Sequence, residues 1–446
     1  MRNRETQFLI LLFLGACLFS YGQSNKTAPP SKNAFLAGTA KILITPVTPI
    51  PMSGYGGRND PFKGVHDDLF ARVIVFSDGV NKAVLITTDL IGISNAIWEE
   101  TTRRIAKETG IKKEYVLLSA VHNHSGPVLK VYDDEDTSGN VTAYVEELEK
   151  KIVKATNDAV NNLVPVSIGA GKGECKMNIN RRAPDGNGEI SLGQNPYAPC
   201  DHEVGVIGVD DKSGKPLAVI MNWPCHGVVL GPQNYLITGD WPGAASRYVE
   251  EGSGGKLIAP VIIGASGDIN PVYGPHIDFE NNSSYAYGKD AIGEDLGQES
   301  LRVAKDIQKI SSGKITAVQR VISLPVKEKE AGKYLQPENK KDDSLKVRLS
   351  AIKIGNIVLT AVSGEVFNQI SVKMRKQSPY AFTFMITHCN GSSGYLVSED
   401  AYPKAGINGS HDKFVPTGGY EVNSTSVKTG AEKAIIVNLL EMINEL

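Results

Sequence analysis

His122 and His124 stand two residues apart in Ser119-Ala-Val-His122-Asn-His124-Ser-Gly-Pro127, the stretch of this chain with the most capacity for chemistry. The segment closes an apolar run at residues 115–120, which reads as a buried strand stopped by a Gly-Pro turn. On extended backbone, residues i and i+2 project to the same side, so two imidazoles would face one cavity. Imidazole is the commonest metal ligand and the usual acid or base near neutral pH. Taken alone, such a pair reads equally well as two polar loop histidines.

Four further apolar runs end in the same way. Leu217-Ala-Val-Ile-Met221 leads into Asn222-Trp-Pro-Cys-His226-Gly227. Ile262-Ile-Gly-Ala-Ser-Gly-Asp268-Ile-Asn270-Pro271 ends in a Gly-rich turn with polar heads. Val358-Leu-Thr-Ala-Val-Ser-Gly-Glu365 ends in a carboxylate, and Phe384-Met-Ile-Thr-His-Cys-Asn390-Gly-Ser-Ser-Gly-Tyr395 in a tyrosine. Strands that finish in such residues are the pattern of an α/β enzyme, whose site gathers beyond the carboxyl ends of its strands. Ligands scattered this widely suit a catalytic metal, whereas structural zinc shows tight Cys/His clusters.

These residues need a scaffold that brings distant strand ends together. Helical patterning is expected over 97–109, 141–161, 286–309, 365–376 and 426–445, interleaved with the strands. At about 150 residues per domain the length would suggest two or three domains. The site segments run from 122 to 420, however, so a boundary between them would cut the site. The expectation is one large α/β domain over 36–446, a mixed β-sheet core flanked by helices. The N-terminal portion and the successive strands of 317–362 should be antiparallel.

The order and wording of these segments resemble the catalytic domain of the neutral (alkaline, non-lysosomal) ceramidases. The resembling pieces are Gly38-Thr-Ala-Lys-Ile-Leu-Ile-Thr-Pro46, Gly54-Tyr-Gly56, Leu69-Phe-Ala-Arg72-Val-Ile-Val, Leu85-Ile-Thr-Thr-Asp89-Leu90, the His-x-His-Ser-Gly-Pro block and Ile179-Asn180-Arg181. The likeness runs from about residue 36 onward, without a counterpart of the family's terminal immunoglobulin-like domain. It implies a zinc ion held by His122, His226, Glu365 and Tyr395. Tyr395 stands in Tyr395-Leu-Val-Ser-Glu-Asp400, where the family has Tyr-x-x-x-x-Glu. It implies further that His124, Arg181 and Tyr420 lie beside the scissile amide, Tyr420 in a Gly-Tyr-Glu-Val-Asn-Ser-Thr stretch that parallels the family's Tyr-Glu-Gly-x-Ser-Thr. In one departure, Asn270 precedes Pro271 where ceramidases carry serine. An amide can hydrogen-bond there but cannot act as a nucleophile, and Ser266 four residues upstream is poorly placed to replace it. The chemistry expected is zinc-assisted hydrolysis by water, with an N-acyl amide of a lipid or amino sugar as substrate. Two other functions fit the residues: a carbohydrate-directed esterase or glycoside hydrolase of the cell envelope, and a secreted binding protein without catalysis.

Composition narrows the setting. With 47 basic and 49 acidic residues the formal charge is −2, and the basic residues do not cluster, which argues against a nucleic-acid partner. Arg2 and Arg4 precede an apolar run at 8–19 that is too short to span a bilayer, and Ser20-Tyr-Gly22 supplies small residues for cleavage. Residues 1–22 therefore read as a secretory signal and 23–35 as a flexible leader, placing the protein outside the cell or in the periplasm. Leu14-Gly-Ala-Cys17 approximates a lipobox, so anchoring through Cys17 is the competing reading. No later segment qualifies as a transmembrane helix, which leaves peripheral membrane contact open. Neither Arg182-Ala-Pro-Asp185 nor the acidic run Tyr132-Asp-Asp-Glu-Asp136, a solvated loop by composition, offers a greasy lid for a two-chain lipid. The remaining cysteines, 175, 200, 225 and 389, lack CxxC spacing. Cys225 and Cys389 read as buried small hydrophobes, and a Cys175–Cys200 disulfide is left open for an oxidising compartment.

Overall fold

The apolar runs are strands because they are buried on both faces, and alternate residues of each run go to different cores. The strand Phe70–Ser77 sends Ala71, Val73 and Val75 to one side and Ile74 and Phe76 to the other. Lys82–Thr88 does the same with Val84 and Ile86 against Ala83 and Leu85. Period-2 alternation between two apolar layers is why these strands read as unbroken hydrophobic runs.

The computed structural model describes residues 34–129, 139–185, 189–273, 282–327, 344–403 and 418–446. The acidic run at 132–136 and the signal reading at 1–22 lie outside them. Eight strands build the larger sheet: β1 (Leu36–Leu43), β2 (Phe70–Ser77), β3 (Lys82–Thr88), β4 (Val116–Ala120), β5 (Val164–Glu174), β6 (Glu203–Asp211), β7 (Pro216–Trp223) and β8 (Val261–Ile263). Their spatial order is β8-β7-β6-β5-β1-β2-β3-β4. The β3–β4 and β7–β8 pairs are parallel and the others antiparallel. A second sheet holds β9 (Ile315–Pro325), β10 (Ser344–Ile354), β11 (Ile357–Val362) and β12 (Phe382–Ile386) in that order, antiparallel except for β11–β12. The mixed α/β class is as expected; antiparallel pairing occurs in the N-terminal strands and over 315–362, where the sequence placed it, and also over 164–223, where it did not.

The β-core is two sheets, packed face to face. Ile74, Leu85, Ile207 and Ile220 of the larger sheet meet Ile352, Leu359, Phe384 and Ile386 of the smaller one. Helices α1 (Asn95–Thr109) and α2 (Asn140–Asn161) cover the outer face over β1 to β4, and α3 (Asp240–Gly252) with α4 (Asn282–Asp306) covers β5 to β8. On the second sheet α5 (Asn368–Gln377) and α7 (Ala431–Glu445) do this work, with the short α6 (Gly419–Ser424) before α7. Helix α3 was not expected from the sequence, since Asp240-Trp-Pro-Gly243 reads as a turn. The helix expected over 365–376 begins later, because Glu365–Val366 pairs in parallel with Tyr395–Leu396.

One segment ties the sheet edges together. Beyond β12, Thr387 N donates to Ile263 O of β8 at 2.9 Å, Ala120 N of β4 donates to His388 O at 3.1 Å, and Asn390 N donates to Leu118 O at 2.8 Å. The two ends of the larger sheet are thereby joined through residues 387–390, so the carboxyl ends of β4, β7, β8, β11 and β12 converge. All described residues belong to one compact unit, and among them no helix is long and apolar enough to cross a membrane.

Beneath this convergence lies a buried ionic cluster. Arg72, 1 % exposed, donates through Nη1 to both Asp89 carboxylate oxygens (3.1 and 3.2 Å) and through Nε to Glu250 Oε1 at 2.7 Å. Asp89 is also the residue whose carbonyl accepts Asn123 Nδ2 at 3.2 Å, between the two histidines. Replacing Arg72 by methionine leaves the Asp89 carboxylate buried without its cation, while Glu250 keeps Lys41 Nζ at 2.6 Å, so a loss of about 3–5 kcal/mol in unfolding free energy is expected. Urea denaturation checks this; a change under about 1 kcal/mol, the value of an exposed pair, would show the cluster to be dispensable.

Candidate metal centre

His122 and His124 do come together, but not through strand pleating. Strand β4 ends at Ala120, and His122 adopts φ 54° in the left-handed region. Asn123 pins the turn, giving Nδ2 to Asp89 O and Thr238 O and accepting Ser125 N on Oδ1 at 2.8 Å. The two rings meet edge to face at 4.7 Å, with Nε2 atoms 3.2 Å apart. Gly54 packs on the His124 ring: its φ is +102°, and a Cβ there would sit 2.6 Å from Nδ1. That close approach explains a glycine in the Gly54-Tyr-Gly56 loop, and the Tyr55 ring stands 5.2 Å from that of His124.

The second histidine loop joins the first by hydrogen bonds: His124 N donates to Gly227 O at 3.0 Å. His226 lies after β7, fully buried. Its Nδ1 donates to Ser266 O at 2.7 Å, as His122 Nδ1 donates to Ile91 O at 2.8 Å. Both rings are therefore fixed in the tautomer that keeps the Nε2 lone pair free, the usual preparation of a metal-ligating imidazole. Burial and the nearby Arg181 cation push the His226 imidazolium down to about 3, so the ring is neutral at any working pH.

Glu365, just past β11, completes the cluster. Its Oε2 lies 3.4 Å from His122 Nε2 and 3.6 Å from His226 Nε2. Ligands at 2.0–2.1 Å from a tetrahedral zinc stand about 3.3 Å apart, so these atoms fit one ion. The same Oε2 is buried without a hydrogen-bond partner among the described residues. Two imidazoles with Nε2 lone pairs turned toward Glu365, approached by Arg181 Nη1 at 3.1 Å and His124 Nε2 at 3.2 Å, and an unpartnered carboxylate oxygen are a donor set that fits zinc.

Arg181 links this cluster to the remaining expected residues. Its Nε donates to Glu421 Oε1 at 2.7 Å, Nη1 to Asn270 Oδ1 at 3.3 Å and Nη2 to the Tyr395 hydroxyl at 2.9 Å; Nη1 is also 3.1 Å from His226 Nε2. Arg182 holds the other Glu421 oxygen at 2.8 Å. Tyr395 is buried and its phenol lies well above the ordinary value, because burial and the Glu365 charge both oppose ionisation. Tyr420 stands 51 % exposed at the rim, its ring edge-on to Tyr395 at 5.8 Å. Asn270 sits in the short strand Ile269–Pro271, paired with Asn178–Asn180 next to Arg181.

The structure therefore gathers His122, His124, His226, Glu365, Arg181, Asn270 and Tyr395 in one place, with Tyr420 at its edge. It also brings in His388, which reading the sequence did not single out although the run ending in Thr387-His388-Cys389 was recognised. The signal was available: a polar residue just past an apolar strand, as at His122 and His226. Ser266 is fully buried, with its hydroxyl lacking a partner among the described residues and its carbonyl bound to His226. All four described cysteines are free, so Cys175 and Cys200 are not bridged; Cys175 Sγ donates to Asp295 Oδ2 at 3.2 Å. Buried thiols, as expected, account for Cys225 and Cys389.

Comparison with known proteins gives a family and a fold. A family model described as neutral/alkaline non-lysosomal ceramidase, N-terminal, matches residues 35–288. Neutral ceramidase A of Dictyostelium discoideum is 29% identical over 271 residues, which make up 56% of this chain and 37% of that protein. The neutral ceramidase of Mycobacterium tuberculosis is 26% identical, over 49% of this chain and 37% of its own. These alignments thus span well under half of each relative. Among solved structures, neutral ceramidase from Pseudomonas aeruginosa superposes with a TM-score of 0.72 at 19% identity, covering 92% of this chain and 74% of that one. A ceramidase complexed with C2 gives 0.73 at 17%, covering 92% and 75%.

Proposed function

The chain belongs to the neutral/alkaline non-lysosomal ceramidase family, and from that premise we propose that it is a zinc-dependent hydrolase cleaving an N-acyl amide, in a ceramide-like lipid or an N-acyl amino sugar. The observation that carries the proposal is the placement of Glu365 Oε2 within 3.4–3.6 Å of two tautomer-fixed imidazoles, with a buried arginine alongside. His122, His226 and Glu365 would hold the ion, with Tyr395 as a weaker fourth donor. Bound zinc would supply Lewis acidity, polarising a carbonyl and bringing the pKa of water to about 7.

The chain's own groups account for the rest. His124 is the only ring of the cluster that is not fully buried, and burial with the neighbouring imidazoles keeps it well below its ordinary value. It is therefore neutral and able to take a proton from attacking water and pass it to the leaving nitrogen. Arg181, locked by Glu421, presents a fixed cation to the developing oxyanion, and Asn270 adds an amide donor beside it. Tyr420, at the open edge, is placed to meet the substrate rather than the ion.

A panel of N-acyl, O-acyl and glycosidic chromogenic substrates, run with metal analysis, tests the proposal. Turnover confined to the N-acyl compounds, from protein holding about one zinc, supports it. Glycosidic or ester turnover alone would move the chain to a carbohydrate-directed activity, and metal-free protein without turnover to a binding role.

The donor set predicts an order of importance. A carboxylate offsets zinc charge, whereas the Tyr395 phenol resists ionisation and already accepts from Arg181. Glu365→Gln should weaken zinc affinity by more than about 100-fold, beyond the 10–100-fold typical of outer partners, and Tyr395→Phe by no more than that range. Competition with a chelator measures both; equal, negligible effects would remove both residues from contact with the ion.

A further inference from the structure

We propose that Arg58 is the positioning residue for His124, an inference that rests on the reading of His124 as the group that moves the proton. The question is what aims this ring. His122 and His226 are each aimed by a backbone carbonyl on Nδ1, at 2.8 and 2.7 Å. His124 has no such bond at Nδ1 among the described residues. A general base must still sit within hydrogen-bond reach of the proton it takes, so its direction has to be set by something else. Packing sets it. The Gly54 backbone lies against Nδ1, and the Tyr55 ring stands 5.2 Å away, inclined at 62°.

Both residues belong to the loop 53–58, and the last residue of that loop fastens it. Arg58 is 4 % exposed. Its Nη2 donates to Ser53 O, which closes the loop on itself, and to His124 O at 2.5 Å. Its Nη1 donates to Asn234 O at 2.8 Å, and its guanidinium lies 5.0 Å from the centre of the Tyr55 ring. Asn234 in turn gives Nδ2 to Ser125 Oγ at 3.1 Å and to Leu236 O at 2.8 Å. One cation therefore grips the carbonyl of His124, the loop packed on its ring and the turn that holds the next residue. The His124 N–H is held from the other side, by Gly227 O.

The choice of arginine follows from this task. A buried guanidinium is costly unless its N–H groups are met, and bonds from a charged donor are about twice as strong as neutral ones. The planar fork reaches three carbonyls on three segments, which the single point of a lysine ammonium cannot span. None of these bonds involves His122, His226 or Glu365, so losing them should leave the ion in place. The loss falls instead on the direction of the His124 ring, and a displacement of about 1 Å in a reacting group costs on the order of 100-fold in rate.

Kinetics on a double-mutant cycle, with metal analysis, tests the proposal. Arg58→Ala should keep its zinc and lose about 100-fold in kcat on an N-acyl chromogenic substrate, with KM little changed. Arg58→Lys, which keeps the charge without the fork, should recover only part of this. In the His124→Ala background, removing Arg58 should cost no more than about twofold further, the scatter expected of such cycles. NMR of isotope-labelled histidine reads the ring itself, the His124 signal being identified by its loss in His124→Ala. In Arg58→Ala that signal should shift or broaden, and an unmoved signal overturns the inference whatever the turnover. A full loss repeated in the His124→Ala background makes Arg58 act independently of His124, and loss of zinc in Arg58→Ala makes it a support of the ion. Either result overturns the inference and leaves the functional reading standing. Undiminished turnover in His124→Ala removes the general base and overturns both. Should Arg58→Ala fail to fold, Arg58→Lys carries the same cycle and the same spectrum.

Discussion

Protein carrying His122→Ala or His226→Ala is expected to purify without zinc and without turnover, whereas His124→Ala should keep its zinc and lose turnover by about 10²–10⁴, the range for one general acid or base. Three histidines within a few ångströms of one another thus receive two different roles. The distinction lies in their outer hydrogen bonds. His122 and His226 each commit Nδ1 to a backbone carbonyl and point Nε2 at Glu365, the arrangement of a ligand. His124 Nδ1 has no partner among the described residues, and its ring rests on the Gly54 loop and Tyr55 at the accessible side. No backbone carbonyl holds its Nδ1, and its Nε2 meets His122 Nε2 at 3.2 Å, so this ring faces the ligand set without the anchor the other two have. Elemental analysis and single-substrate kinetics on the three variants check the assignment. Metal-free His124→Ala together with zinc-loaded His122→Ala would show it to be reversed.

Much of this site could be read from the chain because every one of its strands is buried on both faces. Unbroken apolar runs ending in polar residues marked β4, β7, β8, β11 and β12, and the site residues follow those ends. Periodicity says that a strand is covered but not by what. The division into two facing sheets was therefore hidden. Local rules also failed where tertiary bonds overrule them. The His122 turn is left-handed because Asn123 is anchored on Asp89 and Thr238, residues far away in sequence. Helix α3 escaped because proline and glycine in its first turn mimic a loop, while the Asp240 carboxylate accepts Trp241 N at 2.7 Å and Leu230 N at 3.0 Å. His388 was passed over for a related reason. A polar residue past an apolar strand is visible in Thr387-His388-Cys389-Asn390, but the bridging of two sheet edges that brings it into the site is made by backbone bonds the sequence does not show.

Loss of the Asn270 amide should lower turnover by roughly 10²–10³ in Asn270→Ala, the effect of removing one oxyanion donor, and leave measurable activity. Arg181 Nη1 donates to Asn270 Oδ1 at 3.3 Å, which fixes the orientation of the amide and leaves its NH₂ to donate to a substrate oxygen. An amide forms no acyl-enzyme, so in the proposed hydrolysis the attack on the carbonyl falls to water. The nearest serine does not change this. Ser266 is fully buried, and its own carbonyl is bound behind His226, so its hydroxyl has no open path to a substrate. Product release should accordingly begin without a pre-steady-state burst, and Ser266→Ala should retain turnover within a few-fold of the native enzyme. Asn270→Ser keeps a hydrogen-bonding group and should recover most of what alanine loses, with any shift in preference among N-acyl substrates reporting contact between this side chain and the substrate. A burst equal to one site per chain, or a covalent adduct mapped by mass spectrometry to Ser266, would return a side-chain nucleophile to the site and overturn direct attack by water.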